Sequence, residues 1–198
     1  MLQRSSPIFC SGKKAAKKLA KAITQELTEL EFMNCDFRIA VEEAKANPKG
    51  LDQAHFYFAP NIGEQAKLLS DIASSGEISR VMLAVKSVLA EIDAIPILIF
   101  DEIDANIGGI TASKIAKKLF SLGQNRQLFC VTHLPQVAAA GHKHYRVEKK
   151  EEAGRSLTHI CELSKNEQVE EIGRMLGGEE TSSLVYAHAS ELVQSIQA

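Results

Sequence analysis

The sequence predicts an α/β fold in which buried parallel strands form a sheet with flanking helices. Two short apolar runs, Ile97–Phe100 and residues 128–131, contain no polar residue, as is typical of strands covered on both faces. Between them, residues 111–122 place apolar side chains at helical spacing. The order strand, helix, strand is that of a parallel βαβ unit. We therefore expect this unit to lie at the centre of the fold.

Composition is that of an ordinary soluble globular protein. The chain has 198 residues, a net charge of −2, 45% hydrophobic and 24% charged residues, which excludes both a disordered chain and a strongly basic histone-like one. Its longest apolar stretch, residues 95–100, is far shorter than the ~18 residues of a membrane helix. We expect the protein to be cytoplasmic, a location that is compatible with its association with the nucleoid.

Cysteine spacing argues against a zinc or redox site. Cys10, Cys35, Cys130 and Cys161 lie far apart and form no C-x-x-C pair. We expect reduced and mostly buried thiols.

The first 32 residues are predicted to form a basic helical segment, distinct from residues 33–198. Apolar residues recur at helical spacing over residues 13–30. The rest of that helix surface carries five lysines, which are Lys13, Lys14, Lys17, Lys18 and Lys21. These lysines fit either a solvated helix face or a nucleic-acid contact, and the sequence leaves both open.

The remaining elements follow from periodicity and turn residues. We predict strands at residues 37–41 and 55–58 around a turn at residues 47–50, and a helix that continues from residue 79. After the central unit, with Gly123 expected at the C′ position just beyond its helix, we predict a hairpin and two helices. The hairpin strands are residues 145–149 and 157–162, and the helices are residues 167–176 and 182–196.

Two carboxylates end the first apolar strand. Asp101 and Glu102 directly follow Ile97–Phe100, and ligands bind at the carboxyl ends of strands in open α/β sheets. One carboxylate there can hold Mg²⁺ and its neighbour can polarise a water. Taken alone, the pair equally fits a strand that ends in solvated acids.

A histidine follows the second apolar strand. His133 lies where a phosphate-sensing imidazole could reach the same sheet edge, although a lone histidine is often only structural. Upstream, the small residues around Ser74, Ser75 and Gly76 open a helix whose backbone N–H groups favour an anion. The same residues fit a helix N-cap formed by Ser74 or Ser75, with Glu77 in the first turn.

In this order, the segments SSGEISR, ILIFDEID, DANIGG and CVTHLPQV resemble the C-terminal half of an ABC-type ATPase head, a P-loop NTPase fold. Within that superfamily, together with FYFAPNIGE, they are similar to the RecN family of bacterial DNA repair proteins, relatives of the SMC proteins. The likeness runs from about Lys13 to the end of the chain, and the basic helix then resembles the end of a coiled-coil arm.

The resemblance implies nucleotide-site roles for eight residues. Ser74 and Gly76, with Ser75 and Glu77, match the signature loop that contacts the γ-phosphate of ATP on the opposite subunit. Asp101 matches the Walker B aspartate that binds Mg²⁺, and Glu102 the glutamate that positions the attacking water. Asp104 begins the D-loop at the dimer interface, and His133 matches the switch histidine.

The chain departs from the family pattern at two points. Ser75 stands where the family signature usually has its first glycine. No G-x-x-x-x-G-K-[ST] occurs, and the nearest match, at Ser11-Gly12-Lys13, lacks the first glycine and a preceding strand. We therefore expect ATP and Mg²⁺ to bind only with a missing Walker A half, absent either because this is a fragment or because the gene is split.

The implied function is part of an ATPase that acts in double-strand-break repair and recombination. Its partners would be the N-terminal half of the head, a second head in a homodimer, and DNA. An alternative is a non-enzymatic module, a degenerate or truncated head that binds the N-terminal half, DNA or a repair protein. An independent metal-dependent hydrolase built on Asp101, Glu102, Asp104 and His133 is a third possibility.

Overall fold

The computed structural model describes residues 7–48, 50–152, 155–178 and 182–197. The chain forms two compact units. The first contains the residues up to Pro96 together with Asp101–Ile103, and the second contains Ile97–Phe100 and the residues from Asp104 onward. Within the described part of the chain, no helix combines the length and the apolar character needed to cross a membrane.

The first unit joins two helices to an antiparallel sheet. In chain order it contains α1 (Pro7–Glu29), β1 (Asp36–Asn47), β2 (Gly50–Ala59), β3 (Lys67–Leu68), a 3₁₀ turn (Leu69–Asp71) and α2 (Ser75–Val88). The strands pair in the order β1-β2-β3. The predicted basic helix and the first two strands are confirmed, although both strands extend further than their apolar runs. β3 was not predicted, because a strand of two residues is too short to show an alternating pattern.

The core of the first unit lies where α1 packs against β1 and α2. α1 contributes Ile23, Leu27 and, just after its end, Leu30, each at most 1% exposed. Phe32 then packs edge-on against Phe58 of β2, with ring centroids 5.3 Å apart. Aromatic pairs of this geometry stabilise a core beyond their buried area. The lysine face of α1 is consequently left to solvent.

The second unit contains the predicted parallel pair. Its elements are β4 (Ile97–Phe100), α3 (Gly109–Gly123), β5 (Gln127–Cys130), α4 (Pro135–Ala138), β6 (His144–Glu152), β7 (Arg155–Leu163), α5 (Lys165–Gly177) and α6 (Ser183–Gln197). β4 and β5 are parallel, with Ile97 opposite Gln127 and Phe100 opposite Cys130. β6 and β7 form the predicted hairpin, and both C-terminal helices are present. The hairpin tip lies outside the described residues.

Helices form the core of the second unit. α3 contacts α4 and α6, and α5 contacts α4, α6 and β7. Their contact region is fully buried at four apolar positions and nearly so at two more; the six are Ala116, Ala139, Ala140, Ile172, Ala189 and Ile196. Small side chains at four of these six positions let the helices approach closely. α6 is also joined to the turn after α4, because the Gln197 amide donates to the carbonyl oxygens of Ala139 and Gly141.

Within the described residues, the β4 strand is covered on one face only, although its all-apolar run predicts cover on both; a missing N-terminal half of the head would leave such a face open. Leu98 and Phe100 are 8% and 4% exposed, whereas Ile99, Phe129 and Val131 are 72%, 46% and 63% exposed. Ile99 lies opposite Phe129 in the register, so alternate residues share one face, and that face is open. The sequence shows strands suited to a covered sheet, but the described residues provide a cover for only one side.

Two smaller expectations are wrong. Gly123 is the last helical residue of α3 rather than a left-handed residue beyond it, and the cap position belongs to Gln124 with φ −64°. Of the cysteines with described side chains, Cys35 and Cys130 are half-buried and Cys161 is exposed. Cys161 lies on a two-stranded hairpin, which has no layer of its own to bury both faces.

Candidate functional site

The start of α2 is fixed by its own capping residue. Ser74 is the N-cap, and its hydroxyl accepts a hydrogen bond from the backbone N–H of Glu77 at 3.4 Å. This confirms the N-cap interpretation of Ser74 and satisfies one of the free N–H groups at a helix start. Gly76 is buried in the first turn, whereas Ser75 is exposed beside it. The predicted signature residues thus form the first turn of a helix.

α2 is hydrogen-bonded to the acidic segment that follows β4. The Ser75 hydroxyl donates to the Glu102 carboxylate, and the Ser79 hydroxyl donates to the Asp101 carbonyl at 2.7 Å. The Arg80 guanidinium donates to the Ile103 carbonyl at 3.4 Å. Glu102 itself has φ +54°, a left-handed conformation that is uncommon outside glycine. Contacts on both sides of Glu102 therefore hold the turn that carries its carboxylate.

Arg80 is the buried charge of this arrangement. It is 8% exposed and its guanidinium lies 5.3 Å from the centre of the Phe32 ring. Burial lowers the pKa of Arg80, while attraction to Glu77 opposes that shift. An arginine remains protonated even so, so its charge strengthens the hydrogen bond to the Ile103 carbonyl. Arg80 thereby joins the aromatic core of the first unit to the end of the acidic segment.

In the second unit, Asp104 organises the turn after β5. Its side chain is 2% exposed, and its Oδ2 accepts from the Thr132 hydroxyl and from the backbone N–H groups of His133, at 2.9 Å, and Leu134, at 3.2 Å. A buried carboxylate needs several such donors to offset the loss of water. The Thr132 hydroxyl oxygen accepts in turn from the Leu134 N–H at 3.1 Å.

His133 presents its imidazole to solvent from this turn. Its side chain is 73% exposed, and Nδ1 lies 3.3 Å from Oδ2 of Asp104. A carboxylate next to one ring nitrogen fixes the orientation of the ring and leaves the opposite nitrogen, Nε2, for another partner. The turn is fixed to the sheet, because the Val131 N–H donates to the Phe100 carbonyl at 3.0 Å.

Asp101, the residue predicted to bind magnesium, has a carboxylate that is suitably placed for it. Mg²⁺ usually takes one or two carboxylates and completes its shell with phosphate oxygens and water. Asp101 has an exposed side chain directly after β4 and fits this requirement. Among the described residues, no group of three or more His, Cys, Asp or Glu side chains is placed to hold a metal ion. The carboxylate of Asp104 is already engaged by the turn after β5.

The structure therefore gathers the predicted site residues into two groups, one in each unit. Ser75 and Glu102 form the first group, with the Ser74 cap beside them, and Asp104 and His133 form the second. Sequence reasoning missed Ser79, Arg80 and Thr132 as supporting residues. Ser79 had a usable signal, since it stands four residues after Ser75 and so lies on the same face of the helix. Nothing in the sequence indicates that Arg80 or Thr132 has a partner distant along the chain.

Comparison with known proteins places the chain beside bacterial DNA repair proteins. No protein-family model matches it. It is 39% identical over 198 residues to the DNA repair protein RecN of Xylella fastidiosa, covering 98% of this chain and 36% of the relative. It is 40% identical over 195 residues to RecN of Deinococcus radiodurans, covering 98% of this chain and 34% of the relative. The chain thus spans about a third of the length of these relatives.

Solved structures show the same fold at low sequence identity. An SMC head with a coiled coil and joint from Pyrococcus yayanosii matches 81% of this chain and 29% of its own, with a TM-score of 0.56 and 20% identity. A structure from work on ATP-driven dimerisation and DNA-stimulated activation of SMC ATPases matches 87% of this chain and 99% of its own, with a TM-score of 0.52 and 16% identity. The chain therefore corresponds to the C-terminal part of a RecN-family protein and has the α/β fold of an SMC-type ATPase head.

Proposed function

We propose that this chain supplies the signature turn, the Walker B carboxylates and the switch histidine to the ATPase head of a RecN-type protein that acts in double-strand-break repair. The observation that carries the proposal is the set of hydrogen bonds between α2 and residues 101–103. They hold the signature helix and the two acidic residues in one unit, and phosphoryl transfer depends mainly on such positioning.

Glu102 is the proposed catalytic base. Its exposed carboxylate would orient a water molecule and take a proton from it as the water oxygen attacks the γ-phosphorus and the bond to the β-phosphate oxygen breaks. Asp101 would hold Mg²⁺, which supplies charge neutralisation to the phosphate oxygens when bound. His133, oriented by Asp104, would donate from its exposed imidazole to a γ-phosphate oxygen.

The start of α2 is proposed to act on the nucleotide of a second head. Backbone N–H groups at a helix start favour phosphate, and small residues at Ser74 and Gly76 allow close approach. One solved SMC structure of the same fold comes from work on ATP-driven dimerisation. That likeness supports a head–head homodimer in which each signature turn closes the other head's site.

The phosphate cradle is proposed to come from the other half of the same head. The sequence contains no Walker A motif, and the P-loop is the main grip on the nucleotide phosphates. The open face of the β4–β5 sheet, formed by Ile97, Ile99, Phe129 and Val131, supports this assignment. Apolar faces of this kind mark interaction sites, and the N-terminal half of the head is the occupant that we propose.

DNA is the proposed partner of the complete assembly. The relatives are DNA repair proteins, and all five lysines of the α1 face are exposed. A concentrated row of ammonium groups can neutralise phosphates along a DNA strand. This role would place the assembly in the cytoplasm, at the nucleoid.

Replacement of Glu102 tests the enzymatic proposal. In the head assembled with its Walker A half, Glu102→Gln should lower the hydrolysis rate by a factor of about 10² to 10⁴, since it removes the base. It should also trap an ATP-bound dimer, detectable by size-exclusion chromatography with labelled nucleotide. Glu170→Gln, an exposed change on α5, is the matched control and should hydrolyse ATP at the parental rate. Parental hydrolysis by Glu102→Gln would overturn the role given to Glu102.

The chain alone should neither bind nor hydrolyse ATP. Without a P-loop, calorimetric titration with ATP and Mg²⁺ should show no measurable heat of binding, and phosphate release should stay at the buffer rate. Addition of the Walker A half should restore both. Hydrolysis by the purified chain that disappears in Glu102→Gln would show that the site is complete without a second half.

The second candidate is a non-enzymatic interaction module. The open apolar face of the β4–β5 sheet favours it, because a docking surface requires no chemistry. This reading predicts that Asp101→Ala leaves DNA repair in cells intact, whereas the enzymatic proposal predicts loss of repair. Survival after double-strand breaks, measured with the variant expressed at the parental level, separates the two.

A further inference from the structure

We propose that Ser75 is a positioning residue that holds the Glu102 carboxylate within its own head until the signature turn engages the nucleotide of the second head. This inference rests on the proposed function, because it presumes that Glu102 acts on water and that the start of α2 meets a phosphate. It concerns a residue at which the chain departs from the usual glycine of the family signature.

The contact needs a side-chain hydrogen-bond donor, which the usual glycine lacks. Ser75 is the first residue of α2, and its hydroxyl donates to Oε2 of Glu102. Both side chains are exposed, so the contact is open to competition from another acceptor. A glycine would leave this carboxylate oxygen to water.

The contact controls the carboxylate rather than the backbone. Ser79 holds the carbonyl of Asp101, and Arg80 holds that of Ile103. These bonds anchor the chain on either side of Glu102 and do not involve Ser75. Loss of the Ser75 hydroxyl should therefore free the Glu102 side chain while the left-handed turn at Glu102 stays in place.

A single donor makes the arrangement a switch. A serine hydroxyl has one hydrogen to donate, so Ser75 can serve Glu102 or a phosphate oxygen, but not both. While Ser75 donates to Glu102, one carboxylate oxygen is occupied and is not available to orient the attacking water. When the second head docks, a phosphate oxygen competes for the same hydrogen, and Glu102 is released. Docking of the heads is thereby coupled to the readiness of the base.

Three substitutions at Ser75 separate this hydrogen bond from simple bulk. Ser75→Ala keeps the Cβ atom and removes the hydroxyl, Ser75→Gly removes both, and Ser75→Thr keeps the hydroxyl. The assay is steady-state ATP hydrolysis by the assembled head, at concentrations below and above that of dimer formation. The unfolding midpoint of each variant is measured alongside the assay.

We expect Ser75→Ala and Ser75→Gly to raise kcat about fivefold at low head concentration, which corresponds to the loss of one modest hydrogen bond. KM for ATP should not change, since the P-loop lies elsewhere, and Ser75→Thr, which keeps the hydroxyl donor, should not show the rise in kcat. If only Ser75→Gly is faster, the side chain acts by steric bulk and the inference is wrong. Parental rates for both Ser75→Ala and Ser75→Gly also overturn it.

A second measurement uses the chain by itself. With glutamate labelled by ¹³C at the carboxyl carbon, Ser75→Ala should shift the Glu102 resonance, and the resonance of Glu170 should stay where it is. An unchanged Glu102 resonance would overturn the contact. The two proposals fail in different ways. The proposed function fails if Glu102→Gln hydrolyses ATP at the parental rate. This inference alone fails if Glu102→Gln is inactive while Ser75→Ala and Ser75→Gly keep the parental rate.

Discussion

The carboxylate of Asp104 accepts a hydrogen bond from the backbone N–H of His133 at 2.9 Å, and the same oxygen lies 3.3 Å from Nδ1 of that residue. One buried oxygen thus fixes both the backbone and the ring orientation of an exposed imidazole. The aspartate comes soon after β4 and the histidine soon after β5. The conformation of the turn after β5 therefore depends on a residue of the loop after β4.

The first prediction concerns the stability that Asp104 provides. Asp104→Ala leaves the N–H group of His133 without its acceptor, whereas the Leu134 N–H keeps the Thr132 hydroxyl. The Asp104 side chain is 2% exposed, and an unsatisfied buried donor costs about 1–3 kcal/mol, so we expect the free energy of unfolding to fall by about that amount. Urea denaturation of the chain, followed by circular dichroism, measures this.

Asp52→Ala provides the control for Asp104. Asp52 is exposed on β2, and surface substitutions of this kind usually change stability by no more than about 0.5 kcal/mol. A loss at Asp104 no larger than that at Asp52 would contradict the structural role described for the turn after β5.

The second prediction concerns the open face of the β4–β5 sheet. Ile99 and Val131 are 72% and 63% exposed on it, and an uncovered apolar face favours association. We expect the isolated chain to self-associate, and Ile99→Ser combined with Val131→Thr to shift it toward monomer. Sedimentation velocity over a concentration series measures the shift. Ile92→Ser, at a residue 79% exposed in the first unit, should leave association unchanged.

Addition of the Walker A half provides a further check of this face. If that half covers β4 and β5, its addition should replace self-association by a one-to-one complex. The Ile99→Ser, Val131→Thr variant should bind it more weakly than Ile92→Ser does. Equal binding by both variants would mean that the two halves meet on another surface.

The third prediction concerns the lysine face of α1. We expect the chain to bind duplex DNA through it, with an affinity that falls steeply between about 50 and about 200 mM salt. Replacement of Lys14, Lys17 and Lys18 by glutamine should lower the slope of log K against log salt by up to about 3, because each lost phosphate contact removes about one. Fluorescence anisotropy of a labelled duplex measures the slope.

A matched triple lies on another helix of the same chain. Lys114, Lys117 and Lys118 of α3 repeat the spacing of the three α1 lysines, so their replacement removes the same charge from the same type of element. The α3 triple should leave the salt slope unchanged. Equal effects of the two triple substitutions on the salt slope, or DNA binding by the parent that does not depend on salt, would mean that the α1 lysines form only a solvated helix face.

The sequence predicted those parts of the fold that depend on local pattern. The βαβ unit, the hairpin and the basic helix followed from periodicity, and the Ser74 cap followed from the preference of serine for helix starts. The prediction that both faces of β4 are buried is met on one face only within the described residues. The all-apolar run Ile97–Phe100 indicates a strand buried on both faces, but it does not show whether the second covering layer comes from this chain or from another. The bonds from Ser75 to Glu102 and from Asp104 to His133 join residues 27 and 29 positions apart, a separation at which neither periodicity nor capping rules indicate a partner.

The fourth prediction is a pH dependence of stability that arises from His144. Burial lowers the pKa of His144 below its ordinary value of 6.5, although the carbonyl groups of Gly141 and Ala138 and the charge of Glu171 oppose the shift. The unfolded chain therefore takes up the proton first, and the free energy of unfolding should fall as the pH drops through about 6.5. Urea denaturation at a series of pH values measures this slope, which His144→Gln should flatten. His188→Gln, on an exposed part of α6, should keep the parental slope, and a His144→Gln variant with that same slope would show that His144 is not its source.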